Sequence, residues 1–231
     1  MKKFALVGYG ISTRLSEKIH NGNFAMDGVE AVYETIEVAP EEFDARIPEI
    51  LKEYDGLNIT RPYKERIIPF LTKLDESAKK YGSVNTVKKC ACHGDTTGYN
   101  TDLPAFLELY GADLVGMRIL VLGAGGAGRP IAQALEKEVF DTDVANLNRV
   151  TDEKIVEAMQ NGQLDVVVNA TPADLPFEVP AWVTTIDIRP DHGGDKMLSL
   201  QAKKSEAIWL EHDHGHDCHC HDQGCHCHDH A

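Results

Sequence analysis

The sequence contains no apolar run approaching the roughly 20 residues needed to span a bilayer, so nothing in it reads as a membrane segment. A cationic surplus is missing too. Lys and Arg number 23 against 37 Asp and Glu, a formal net charge of −14. That balance argues against a nucleic-acid partner, which needs a basic face. Cysteine is scarce through the body of the chain, where only Cys90 and Cys92 occur. Two thiols so close in sequence make no disulfide framework, and a cytoplasmic protein is expected. The start, Met1-Lys2-Lys3 followed by Phe4-Ala5-Leu6-Val7-Gly8, is too short in apolar residues for a signal peptide and reads as a first strand.

What is present centres on Ile119-Leu120-Val121-Leu122-Gly123-Ala124-Gly125-Gly126-Ala127-Gly128. An apolar run ends in closely spaced glycines, and a helix-like stretch from Arg129 to Val139 follows. Strand, tight turn and helix N-terminus in that order suit a dinucleotide, because bare backbone N–H groups and the helix dipole favour a pyrophosphate.

Before that loop the pattern predicts strands at Phe4–Val7, Ala31–Val38 and Gly56–Thr60, with helices at Ser16–Met26 and Pro40–Tyr54. Pro62 is expected to open a helix, and Lys73–Lys80 another. Ser83–Lys89 and Thr96–Tyr99 flank a turn at His93-Gly94-Asp95 and read as a hairpin. Asp102–Leu109 reads as helix. After the loop, strands are expected at Thr142–Leu147, Val166–Asn169 and Thr184–Ile188, with helices near Asp152–Gln160 and over Met197–Leu210. Alternation of this kind predicts an α/β fold of parallel sheets covered by helices on both faces. Two such series meeting near residue 102 predict two domains with a small-molecule cleft between them.

Several short segments together resemble the shikimate dehydrogenase family. Asn58-Ile59-Thr60-Arg61-Pro62-Tyr63-Lys64 resembles its N-[VI]-T-x-P-[YF]-K signature, and Tyr81 to Val87 its G-A-V-N-T segment. Gly98-Tyr99-Asn100-Thr101-Asp102 resembles G-x-N-T-D, and Gly123 to Gly128 the G-A-G-G-A-[AG] loop. Asn148-Arg149, Asn169-Ala170-Thr171-Pro172 and Met197-Leu198 to Gln201-Ala202 resemble N-R, N-A-T-P and M-L-x-x-Q-A. The matches fall in family order over about residues 4 to 210.

The resemblance implies a substrate-binding domain over residues 1–101, with the helix 197–210 packing back on it, and a Rossmann-type NADP-binding domain over 102–196. It implies reversible reduction of 3-dehydroshikimate to shikimate with NADPH, in aromatic amino acid biosynthesis, by a monomer or homodimer. Lys64 and Asp102 match the catalytic pair. Hydride transfer to a ketone puts negative charge on oxygen, which a lysine can neutralise while a carboxylate orients it. Asn58, Thr60, Asn85, Gln201 and Ser16 would hold the substrate. The cofactor residues implied are Gly123, Ala124, Gly125, Gly126, Ala127, Gly128, Asn148, Arg149, Thr171 and Gly194. An Arg after the second strand, where an NAD enzyme would place Asp or Glu, suits the 2′-phosphate of NADP.

Two stretches depart from the family pattern. Where the family reads G-x-P-[IL]-x-H-S-x-S-P, this chain reads Gly8 to Glu17, with Arg14 for the first serine and Glu17 for the proline. Arg14 either binds the substrate carboxylate or points outward to pair with Glu17 or Glu34. Beyond Asp187-Ile188-Arg189-Pro190 the family's Y-x-P segment and a further helix are missing. Both changes leave room for quinate or another hydroxylated cyclic acid as substrate.

From His212 the composition changes. His212, His214, His216, Cys218, His219, Cys220, His221, Cys225, His226, Cys227, His228 and His230 crowd together with no apolar residue to form a core. The unit Cys-His-Cys-His-Asp occurs twice, seven residues apart. Such a tail, 211–231, is expected to be disordered until a metal binds, and thiolate with imidazole favours Zn, Ni or Cu. It opens a further alternative, a metal-handling protein on a degenerate dehydrogenase scaffold. Cys90-Ala91-Cys92-His93 reads as a simple hairpin.

Overall fold

The structure is a computed structural model that describes residues 1–11, 13–136, 139–140, 151–175 and 177–211. Contacts divide the chain into two compact units. The first takes Met1–Lys80, Val84–Asn100 and the chain from Ala202 onward. The second takes Tyr81–Ser83 and Thr101–Gln201.

The first unit is built on the run Phe4–Val7. All four residues are buried, which only a strand covered on both faces allows. This strand, β1 (Lys2–Gly8), pairs in parallel with β2 (Ala31–Glu37) and β3 (Gly56–Ile59). The sheet continues through β5 (Thr86–Lys89) and β6 (Thr96–Tyr99) to the short β4 (Lys73–Leu74), in the order β2-β1-β3-β5-β6-β4. β5 runs antiparallel to both β3 and β6, so the sheet is mixed where alternation alone predicts parallel. Helix α1 spans Leu15–Met26 and α2 spans Phe43–Glu53, the latter burying Phe43, Ile47 and Ile50 at helical spacing.

Two helix expectations fail here. The chain after Pro62 makes turns and a 3₁₀ segment at Ile68–Phe70. Tyr63 explains this: it is fully buried, stacks on Phe43 at 4.0 Å and donates its hydroxyl to the Val38 carbonyl. Lys73–Lys80 divides into β4 and a six-residue helix α3 (Glu76–Tyr81). Pairing of β4 with β6 overrides the local helical pattern.

The second unit holds α4 (Asp102–Tyr110) and a parallel sheet in the order β10-β9-β7-β8. Its strands are β7 (Ile119–Leu122), β8 (Val139–Phe140), β9 (Val166–Asn169) and β10 (Thr184–Asp187). Helix α5 covers Gly128–Ala134, shorter than expected, and α6 covers Thr151–Gln160. The strand expected over Thr142–Leu147 lies outside the described residues. Helix α7 (Asp195–Leu210) is shared, with the division between the units falling at Gln201 and Ala202. Among the described residues no helix is long and apolar enough to cross a membrane.

Candidate active site

The registers of the second sheet align the carboxyl ends of three strands: Leu122 lies opposite Asn169, and Asn169 opposite Asp187. In open α/β sheets this end receives the ligand. The glycine loop leaves β7 here. Gly123 adopts φ +102°, and a Cβ there would come within 2.8 Å of the Ala170 backbone. At Gly128 a Cβ would lie 1.8 Å from the Gly123 carbonyl oxygen, so no side chain is possible. Gly125, by contrast, faces open space. Two glycines thus close the turn, while a third leaves its backbone accessible, which is what a dinucleotide cradle requires. Ser83 donates to the Gly126 carbonyl at 2.6 Å and so ties down the loop.

Thr171 is buried, and its hydroxyl lies 2.7 Å from Asn169 Oδ1, closing the turn after β9. Gly194 is equally constrained: a Cβ would meet the Ile188 carbonyl oxygen at 2.5 Å. Asn148 and Arg149 lie outside the described residues, as do His212, His214, His216, Cys218, His219, Cys220, His221, Cys225, His226, Cys227, His228 and His230.

Asp102 is the first residue of α4, with Thr101 as its N-cap, and only 2% of it is exposed. Gln201, on α7, donates its amide to Asp102 Oδ1. The structure thus joins two residues that the sequence assigned separately to catalysis and substrate binding.

In the first unit, Lys64 follows the buried Tyr63 and is half-buried. Its carbonyl accepts from the Val84 N–H at 2.8 Å, which ties the signature turn to the start of the hairpin. Thr60 is half-buried, and its methyl group packs so closely on Gly8 that a Cβ there would lie 2.3 Å away. Asn58 is held from four sides. Tyr33 donates to its Oδ1 at 2.8 Å, and its amide reaches the Asn85 carbonyl, Thr86 and Ser205 at 3.0–3.2 Å. Complete burial pushes the Tyr33 phenol well up, helped by the charges of Glu206 and Glu17, so it stays a donor to Asn58. Asn85 is 5% exposed, and its side chain accepts from Thr86. Ser16 is half-buried on α1.

Arg14 takes the outward alternative: it is 66% exposed and pairs with Glu17 at 2.8 Å. Burial works against the Glu17 charge, but the Arg14 hydrogen bond holds its carboxyl below the usual range.

A family model described as the shikimate dehydrogenase substrate binding domain matches residues 6–87. The NADP(+) shikimate dehydrogenase of Staphylococcus aureus strain MRSA252 is 38% identical over 192 residues, 75% of this chain and 69% of that protein. The chain belongs to the shikimate dehydrogenase family. It is an oxidoreductase by that membership. The shikimate 5-dehydrogenase of Thermus thermophilus, solved in complex with NADP(H) and shikimate, is 28% identical with a TM-score of 0.70, over 91% of this chain and 94% of that one. The shikimate dehydrogenase of Aquifex aeolicus gives 27% and 0.71 over 91% and 92%. The 5-ketofructose reductase of Gluconobacter sp. strain CHM43, at 21% and 0.67 over 91% and 93%, shares the fold alone. A shared fold does not fix the substrate.

The stretch after β10 has its own closure, and the shikimate dehydrogenase motifs did not point to it. Arg189 grips Asp187 through two nitrogens, at 2.6 and 3.0 Å, and reaches Asp174 at 2.9 Å. Asn169 adds a bond to Asp187 at 3.1 Å. Sequence reading missed this cluster, although Asp-x-Arg at a strand end was the available signal. It also missed the buried pair of His20 Nδ1 and Glu206 Oε1 at 2.6 Å, for which 186 residues of separation leave no local signal.

Proposed function

We propose that this chain is an NADP-linked dehydrogenase that interconverts 3-dehydroshikimate and shikimate. The observation carrying the reading is the buried Asp102 carboxylate with the Gln201 amide upon it. In NADPH, when bound, the nicotinamide supplies the hydride to the ketone carbon. Gly123 to Gly128 would cradle the pyrophosphate, and a guanidinium such as that of Arg149 has the charge that suits the 2′-phosphate. Lys64 would neutralise the oxygen that gains charge and give it a proton, and Asp102, held by Gln201, would orient the substrate hydroxyl. Thr60, Asn85, Ser16 and Gln201 hold the substrate's polar groups, while Asn58 fixes the frame around them.

The test is reduction of NADP⁺ by shikimate, followed by absorbance. Lys64→Ala should lose about 10²–10⁴-fold in kcat with its circular dichroism unchanged. Full turnover in that variant would remove Lys64 from the mechanism.

A second reading rests on Arg14. Arg14 itself turns outward to Glu17, so position 14 offers no serine hydroxyl to a substrate carboxylate, which supports quinate or another hydroxylated cyclic acid as substrate. Comparing shikimate with quinate on wild type and Arg14→Ser decides between the readings: a swap in preference favours the second.

A further inference from the structure

Ser205 belongs to none of the sequence motifs, yet it is fully buried, and so is Thr86. Burying two hydroxyls is costly unless each is hydrogen-bonded. Here they bond to each other at 2.8 Å, joining α7 to β5. The pair also links Asn58 to Asn85, and the atoms involved fix which way each proton points.

Asn58 sets the direction. Its amide nitrogen lies 3.1 Å from the Asn85 backbone carbonyl, which can only accept. The amide oxygen therefore faces Tyr33, whose hydroxyl must donate to it. The same nitrogen donates to the Thr86 hydroxyl at 3.2 Å and the Ser205 hydroxyl at 3.0 Å. Thr86 in turn lies 3.2 Å from Asn85 Oδ1, an atom that only accepts. A hydroxyl has one proton, and that of Thr86 is committed to Asn85. Ser205 is thus the donor in its bond to Thr86, while it accepts from Asn58. The protons run one way: Tyr33 to Asn58, Asn58 to Ser205, Ser205 to Thr86, Thr86 to Asn85. Hydrogen bonds in such a chain reinforce one another in a low-dielectric interior.

The end of the chain of bonds is Asn85, a residue assigned to the substrate. With Oδ1 held by Thr86, its other end is the amide nitrogen, which donates. A reversed amide would turn that end from donor into acceptor. We propose that Thr86 and Ser205 are positioning residues, which hold Asn85 so that its N–H groups serve an accepting oxygen of the substrate, on a hydroxyl or the carboxylate. This deepens the dehydrogenase reading and rests on it. Neither Thr86 nor Ser205 touches the substrate; both act through Asn85.

The test is steady-state reduction of NADP⁺ by the full chain, with shikimate or, where it is preferred, quinate. Thr86→Val keeps the branched shape and removes the hydroxyl. It should raise the KM for that substrate about tenfold, with kcat and the KM for NADP⁺ unchanged. Thr86→Ser restores the hydroxyl and should return the KM to the wild-type value. Ser205→Ala should raise the KM by about threefold, and it decides the matter where Thr86→Val does not fold. In an Asn85→Ala background Thr86→Val should add nothing, because the residue it positions is gone. A role in packing alone would lower the active fraction, and so kcat, and leave the KM where it was. An unchanged KM in either Thr86→Val or Ser205→Ala, or an equal further rise on top of Asn85→Ala, overturns the proposal. Wild-type protein that oxidises neither shikimate nor quinate fails the dehydrogenase reading itself, and this inference falls with it.

Discussion

The Gln201 amide donates to the Asp102 carboxylate across 99 residues of sequence. A hydrogen bond to a buried charge contributes about 1.5–3 kcal/mol. Gln201→Ala should therefore lower kcat/KM by about 10–100-fold if Asp102 works in the reaction. Gln201→Glu sets two carboxylates side by side and should cost more. Steady-state kinetics on both variants checks the order; an Ala variant with wild-type kinetics would make this contact structural only.

Asn58 should behave as a frame residue. Removing its amide leaves Tyr33, Thr86 and Ser205 without their shared partner. Asn58→Ala should destabilise the fold by about 2–3 kcal/mol, read by urea unfolding. Tyr33→Phe should cost less, because it removes one hydroxyl rather than the hub. A stable Asn58→Ala with a raised KM would show instead that Asn58 acts on substrate.

The glycine loop offers a built-in contrast. Gly128→Ala forces a Cβ against the Gly123 carbonyl, whereas Gly125→Ala meets nothing within 4 Å. The first should abolish NADPH binding, read by cofactor fluorescence, and lower stability. The second should leave the fold intact, and any loss of NADPH affinity then reports close approach of the cofactor to Gly125.

Asp187 sets a pH dependence. Burial opposes its charge, but hydrogen bonds from Arg189 hold the carboxyl below its ordinary range. A carboxylate held low in the fold contributes stability above its unfolded pKa, about 3.9, and that contribution fades as pH falls through the folded value. Tm should therefore decline below about pH 4. Asp187→Asn should be less stable at pH 7 by about 1–3 kcal/mol and decline less steeply. Parallel pH profiles for the two proteins would remove Asp187 from the account.

These residues show where sequence is a sufficient guide. The strand, glycine loop and helix start at Ile119–Ala134 were legible because an apolar run ending in closely spaced glycines is a local signal, although the helix ends earlier than its pattern predicts. Val166–Asn169 was legible because a run of three valines followed by a polar cap suits a buried parallel strand. The stretch after Pro62 was not, because the burial of Tyr63 against Phe43 and Val38 is decided elsewhere in the chain. Lys73–Leu74 joined the sheet through β6, which no helical count anticipates. Among the candidate residues, Lys64 and Asp102 were named from their motifs. The bond from Gln201 to Asp102, and the four-way hold on Asn58, depend on which strands and helices meet.

Trp209 bears on the order in which the protein is made. It stacks on Phe4 at 4.5 Å, donates its indole N–H to the Val87 carbonyl, and occupies the space where a Cβ on Gly56 would stand. Strand β1 thus packs against a residue made more than 200 positions later. Since chains emerge N-terminus first, of the two described units the one begun first is also the one completed later. The second unit's residues, up to Gln201, have all been synthesised by then.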